Sequence, residues 1–96
     1  MGKARLLYYL KQEIKGKYVM ELSIYSVNDK RYKDGVKYSL VFIEPKSGRK
    51  VLMDNHHPKG PHFHLDDDEF GYTYVNDDRL LKDFTNLVFQ HFGEKI

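Results

Sequence analysis

The chain has 96 residues, 41% of them hydrophobic and 31% charged, with no cysteine and a net charge of +2 at neutral pH. That length suits one domain over residues 1–96, and the lack of cysteine excludes a disulfide framework and any thiolate metal site. No apolar run approaches the roughly 20 residues of a membrane span. The N-terminus also lacks the long apolar segment of a signal peptide, so the expectation is a cytoplasmic protein with no membrane contact.

The charge is unevenly spread. Residues 1–53 hold 12 Lys or Arg against 5 Asp or Glu, and residues 54–96 hold 4 against 9. A basic first half suits phosphate and hence nucleic acid; an acidic second half must face elsewhere or meet a partner protein.

Residues 4–14 alternate with period two. Ala4, Leu6, Tyr8, Leu10, Gln12 and Ile14 fall on one face, which predicts a strand. Lys15-Gly16 predicts a tight turn, and residues 17–27 alternate again with Tyr18, Met20, Leu22 and Ile24 inward, closing a hairpin. The polar stretch 28–37 carries Lys30, Arg31, Lys33 and Lys37 around Tyr32 and contains Asp34-Gly35; it reads as a loop able to touch a phosphate backbone. A second hairpin follows, with strands at 38–43 and 49–54 and a turn at Pro45-Lys46-Ser47-Gly48.

Next comes Asp54-Asn55-His56-His57-Pro58-Lys59-Gly60-Pro61-His62-Phe63-His64, which holds four of the five histidines. His62 to Leu65 predicts another strand, with both histidines on one face and Phe63 and Leu65 on the other. Tyr72 to Val75 predicts a short strand. Asn76-Asp77-Asp78 is a helix N-cap, and Leu80, Leu81, Phe84, Leu87, Val88 and Phe92 form one apolar stripe that ends at Gly93. His91 falls on that stripe and reads as a hydrogen-bonded, partly buried side chain. The fold class expected is α+β: an antiparallel sheet of four to six strands with one C-terminal helix packed on one face.

The histidine turn admits three readings. The first is acid–base chemistry on RNA. Histidine's ordinary pKa, near neutrality, suits both proton roles of phosphodiester cleavage. Here His62, His64 and His57 are the candidate catalytic groups with Asp54, and Lys59 or Arg49 supplies a cation. Lys30, Arg31 and Lys33 would hold RNA, and Tyr72 or Tyr74 would stack a base. The second reading is a divalent metal such as Zn on His56, His62 and His64 with a carboxylate, although the spacing matches no standard zinc signature. The third is a rigid turn whose histidines are surface polar groups.

The run from Tyr38 to Phe92 resembles the TumE-like toxins of prokaryotic toxin–antitoxin pairs. The similar features are Tyr38-Ser39-Leu40-Val41, the Asp54-Asn55 turn, Gly60 before His62-x-His64, the acidic stretch, Tyr72 and Tyr74, and a helix opening Leu80-Leu81-Lys82-Asp83-Phe84. The N-terminal hairpin is similar in pattern alone. Met53 and Gly71 stand where the family commonly has an aromatic residue and a proline. The resemblance implies a small cytoplasmic toxin that a helix-turn-helix antitoxin neutralises, as a hetero-oligomer or beside a homodimer. It implies no particular reaction; RNA cleavage without a metal cofactor is inferred from the histidine turn and the basic first half.

Overall fold

The computed structural model describes residues 4–96. Six strands form one antiparallel sheet in chain order: β1 (Arg5–Ile14), β2 (Tyr18–Ser26), β3 (Val36–Ile43), β4 (Lys50–Asp54), β5 (His62–Leu65) and β6 (Asp68–Gly71). One helix, α1 (Asp77–Phe92), closes the chain and packs across one face of the sheet. The architecture is therefore the α+β sheet with a C-terminal helix that the sequence patterning predicts. Among the described residues, no helix is long and apolar enough to cross a membrane.

The alternation of β2 and β3 decides which face the helix covers. Met20, Leu22 and Ile24 pair across to Phe42, Leu40 and Tyr38, and these side chains and that of Tyr18 are buried. Val51 and Met53 extend that row into β4. Leu80, Phe84 and Val88 of the helix meet it with no exposure at all. The helix is capped as its ends require. The Asn76 side chain accepts from the Arg79 N–H, and Gly93, at φ 72°, takes the left-handed conformation that ends the helix.

Three sequence expectations change. In β1 a bulge between Leu6 and Tyr8 breaks the alternation. Leu6 pairs with Tyr25 while Tyr8 pairs with Ile24, so the two lie on opposite faces, and both are exposed at the free edge of the sheet. Val36 and Lys37 belong to β3 rather than to the preceding loop. The last strand is Asp68–Gly71, not Tyr72–Val75. The acidic run supplies the β5–β6 turn: Asp66, at φ 56°, and Asp67 lie between the paired residues Leu65 and Asp68. The chain then leaves the sheet. Tyr72 and Tyr74 donate their hydroxyls to Asp83 (2.7 Å) and Asp77 (2.6 Å) of the helix.

Candidate functional site

His62 stands opposite Asp54 in the β4–β5 ladder, and His64 stands opposite Leu52. Strand alternation puts both imidazoles on the face away from the helix, while Phe63 and Leu65 pack toward the core. The two rings lie edge to face with centroids 5.1 Å apart.

Asn55 fixes the turn that delivers them. It is buried; its Oδ1 accepts from the Tyr38 N–H at 3.0 Å and its Nδ2 donates to the Val36 carbonyl at 2.8 Å. The side chain thus continues the pairing of β4 with β3 after the backbone has turned away. Asp54 Oδ1 accepts from the His56 N–H at 3.1 Å, closing the turn from the other side.

His62 is anchored at Nδ1 and lies against Asp54 at Nε2. Nδ1 is 2.7 Å from the Gly60 carbonyl oxygen, and Nε2 is 3.2 Å from Asp54 Oδ1, with only 8% of the side chain exposed. A carbonyl can only accept, so Nδ1 carries a hydrogen.

His64 is more open, with 21% of its side chain exposed, and its Nε2 lies 3.6 Å from Glu69 Oε1 on the opposing β6 residue. The same Glu69 oxygen accepts from Lys59 Nζ at 2.7 Å. The Lys59 hydrogen bond holds the Glu69 carboxyl below its ordinary value. His62, His64 and Glu69 bring one ligand-capable atom each to within 4.8 Å of one another. Glu69 therefore supplies the carboxylate that the sequence reading calls for, while His56 stands outside the group. His56 and His57 are exposed; the His57 N–H donates to the Tyr32 hydroxyl at 3.3 Å.

Two hollows flank this turn. One, of about 560 Å³, lies on the open sheet face and is lined by Tyr25, Lys37, Ser39, Leu52, Asp54 and His56 among others. The other, of about 430 Å³, includes Lys30, Arg31, Tyr32, Lys33 and Lys59 in its wall. Lys37 links them, its Nζ 6.0 Å from the centre of the Tyr32 ring. The loop cations of the sequence reading thus border the histidine turn. Arg31 is held by Asp29, at 2.7 Å from NH2 to Oδ2. This pairing, Arg31's side-chain hydrogen bonds before its backbone one, pulls the Asp29 carboxyl down to about 2.

Other expected members are elsewhere. Tyr72 and Tyr74 pack on the helix side of the sheet, Tyr74 stacked on Tyr38 at 5.9 Å, with their hydroxyls engaged and their pKa values raised, first by burial. Neither faces the histidines. Arg49 donates to the His91 carbonyl at 2.8 Å and lies over the Phe92 ring, so it braces the end of the helix. His91 sits 3.0 Å from Asp66, off the line of a directed hydrogen bond, and serves the β5–β6 turn.

Sequence reasoning did not single out Glu69, Tyr25 or Ser39. Glu69 was recoverable: a two-residue turn at Asp66-Asp67 sets it opposite His64. Compared with models of known protein families, with curated proteins and with solved structures, the chain finds no match.

Proposed function

We propose that this chain is the toxin of a toxin–antitoxin pair and that it stops growth by cutting RNA at the His62–His64 turn, with a helix-turn-helix antitoxin as its partner. What carries the reading is a pair of imidazoles, 5.1 Å apart, at the end of a turn whose Lys59, Gly60 and Pro61 wall a hollow that Lys30, Arg31 and Lys33 also border with Asp34. A cationic hollow supplies sequence-independent hold on a phosphate backbone. The resemblance to TumE-like toxins agrees with it.

In this reading His64, the more open ring, takes the proton of a ribose 2′-hydroxyl. The 2′-oxygen attacks phosphorus, and the bond from phosphorus to the 5′-oxygen breaks, leaving a 2′,3′-cyclic phosphate. Attack is in line, so the leaving oxygen departs on the side opposite His64 and takes its proton from another group. Lys59 is suited to that role and to neutralising the phosphorane, because Glu69 already holds its ammonium at the site. His62 is a positioning residue. Anchored on the Gly60 carbonyl beside Asp54, it sets the strand and packs edge-on against His64.

A second reading has its own observation. His62, His64 and Glu69 converge, and the Nδ1–H of His62 is anchored on a backbone carbonyl, the outer contact that metal-ligating histidines usually make. A zinc-class ion there would make the protein a metal-dependent nuclease or a metal-binding protein.

Purified protein incubated with total RNA, with and without EDTA, separates these readings. Acid–base cleavage persists in EDTA, and His64→Ala lowers it by about 10²–10⁴-fold while the fold is kept. Cleavage that EDTA abolishes establishes the metal reading. A fully toxic His64→Ala refutes both.

A further inference from the structure

The larger hollow on the open sheet face is outside the proton chemistry described above, yet it shares Asp54 with it. We propose that this hollow is a nucleobase subsite. It seats one base of a single-stranded RNA that crosses the open face of the sheet, with Tyr25 as stacking platform and Asp54 as acceptor for an exocyclic amine. The inference rests on RNA being the substrate, but not on the cleavage chemistry.

Four observations carry it. Among the described residues the helix packs on the other side and leaves this face open. The hollow, about 560 Å³, is large enough for a planar base with its ribose. Its walls combine a half-buried aromatic ring, Tyr25, and the apolar Leu52 with polar groups of both kinds, Ser39 and Asp54. Asp54 spends Oδ1 on the His56 N–H and on His62, which leaves Oδ2 for a ligand. With Lys37 in the same wall, the hollow offers Asp54 as an acceptor to an amine-bearing base edge and keeps its one lysine on the side toward Tyr32. The phosphate has its own place. Lys37 stands at the rim and reaches toward Tyr32, in the wall of the hollow that Lys30, Arg31, Lys33 and Lys59 border. Asp54 and Asn55, consecutive in sequence, line the two hollows in turn. A base in one and its neighbouring phosphate in the other is the arrangement by which open sheets recognise single strands: aromatic stacking beside a cationic track.

The test uses the full chain carrying His64→Ala, so that bound RNA is not cut, and short single-stranded oligocytidylate and oligouridylate as probes. Cytosine and uracil share ring size, but uracil lacks the exocyclic amine. Oligocytidylate is expected to bind several-fold more tightly. Adding Tyr25→Ala should weaken its binding by about tenfold or more, with circular dichroism unchanged, whereas Tyr25→Phe should keep it. Tyr25→Ala binding as tightly as its parent overturns the subsite, and so does the absence of RNA binding. Equal affinity for the two probes overturns the role of Asp54. Tyr25-dependent binding to a protein that never cuts RNA supports the subsite and sinks the cleavage chemistry. Cleavage by the unmodified chain that is indifferent to Tyr25→Ala does the reverse.

Discussion

Asn55→Ala tests whether one buried amide holds the histidine turn in place. The change removes the acceptor of the Tyr38 N–H and the donor to the Val36 carbonyl, both on a strand whose inward side chains are buried. Each orphaned backbone group costs roughly 1–3 kcal/mol; because Asn55 borders a hollow from which water can partly replace its amide, the two together should cost about 3 kcal/mol. For a domain of this size each kcal/mol lowers Tm by about 4–8 °C, so the melting temperature should fall by roughly 12–24 °C. Urea denaturation followed by circular dichroism gives the free energy, and thermal melting gives the shift. Asn55→Asp is the sharper comparison. It keeps the acceptor for Tyr38 but points an anion at the Val36 carbonyl, so it should recover little at neutral pH. A loss below about 0.5 kcal/mol for Asn55→Ala, the range of an ordinary surface change, would refute the view that this side chain extends the sheet.

Two further predictions concern the frame. Lys15 at the first turn bonds Glu94 beyond the helix at 2.7 Å, and that bond lowers the Glu94 pKa below its ordinary 4.5 and raises that of Lys15 above 10.5. The depressed carboxyl contributes stability that is present above about pH 4.5 and lost as pH falls through its folded value; the raised ammonium contributes stability that is present below about pH 10.5 and lost as pH rises through its own. Melting curves of the parent and Glu94→Gln should therefore separate at neutral pH and converge at the acid end; curves that stay parallel throughout would discount the pair. Phe84→Ala empties the centre of the helix–sheet contact, where Phe84 has no exposure, and should cost about 3–5 kcal/mol in urea denaturation; a cost near 1 kcal/mol would mean that the helix is less firmly docked than its burial implies.

The fold was legible because its signals are redundant. In β2 and β3 the period-two rows agree with the turn residues between them, and in α1 the apolar stripe runs from an Asn76 cap to a Gly93 stop. The bulge in β1 was not legible. Leu6, Tyr8 and Leu10 keep a perfect alternation in sequence, and nothing local marks Leu7 as the inserted residue. The site was legible in part. Alternation shows that His62 and His64 share a face, but not which face the helix leaves open; the apolar rows of β2 and β3 decide that from a distance. Tyr72 and Tyr74 share the same spacing of two, yet they lie beyond the sheet, and the carboxylates of Asp83 and Asp77 draw their hydroxyls to the helix.

An acidic second half repels a nucleic acid only where its charges face it, and most of the acids with partners face elsewhere. Asp83 takes the Tyr72 hydroxyl and the Arg79 guanidinium, Asp77 takes Tyr74, Asp66 meets His91 and Arg49, and Glu94 takes Lys15. These acids are engaged with the helix or its ends, away from the open sheet face. Glu69, the acid nearest His64, is matched by Lys59. The loop beside the turn is different: among the described residues Lys30 and Lys33 have no ion-pair partner, and both border a hollow that continues to Lys59. A net charge of +2 thus does not describe how the charge is placed around the turn. Potential at a site follows the unneutralised charges within about a Debye length, roughly 8–10 Å at physiological salt. In the loop those charges are Lys30 and Lys33 with Asp34 in the same wall, while Asp54 sets an acid beside His62 on the open face. Replacing Lys30 and Lys33 together by glutamine should therefore weaken RNA binding uniformly across sequences and flatten its salt dependence. An unchanged salt slope, measured by titration in increasing potassium chloride, would show that the phosphate path runs elsewhere on the molecule.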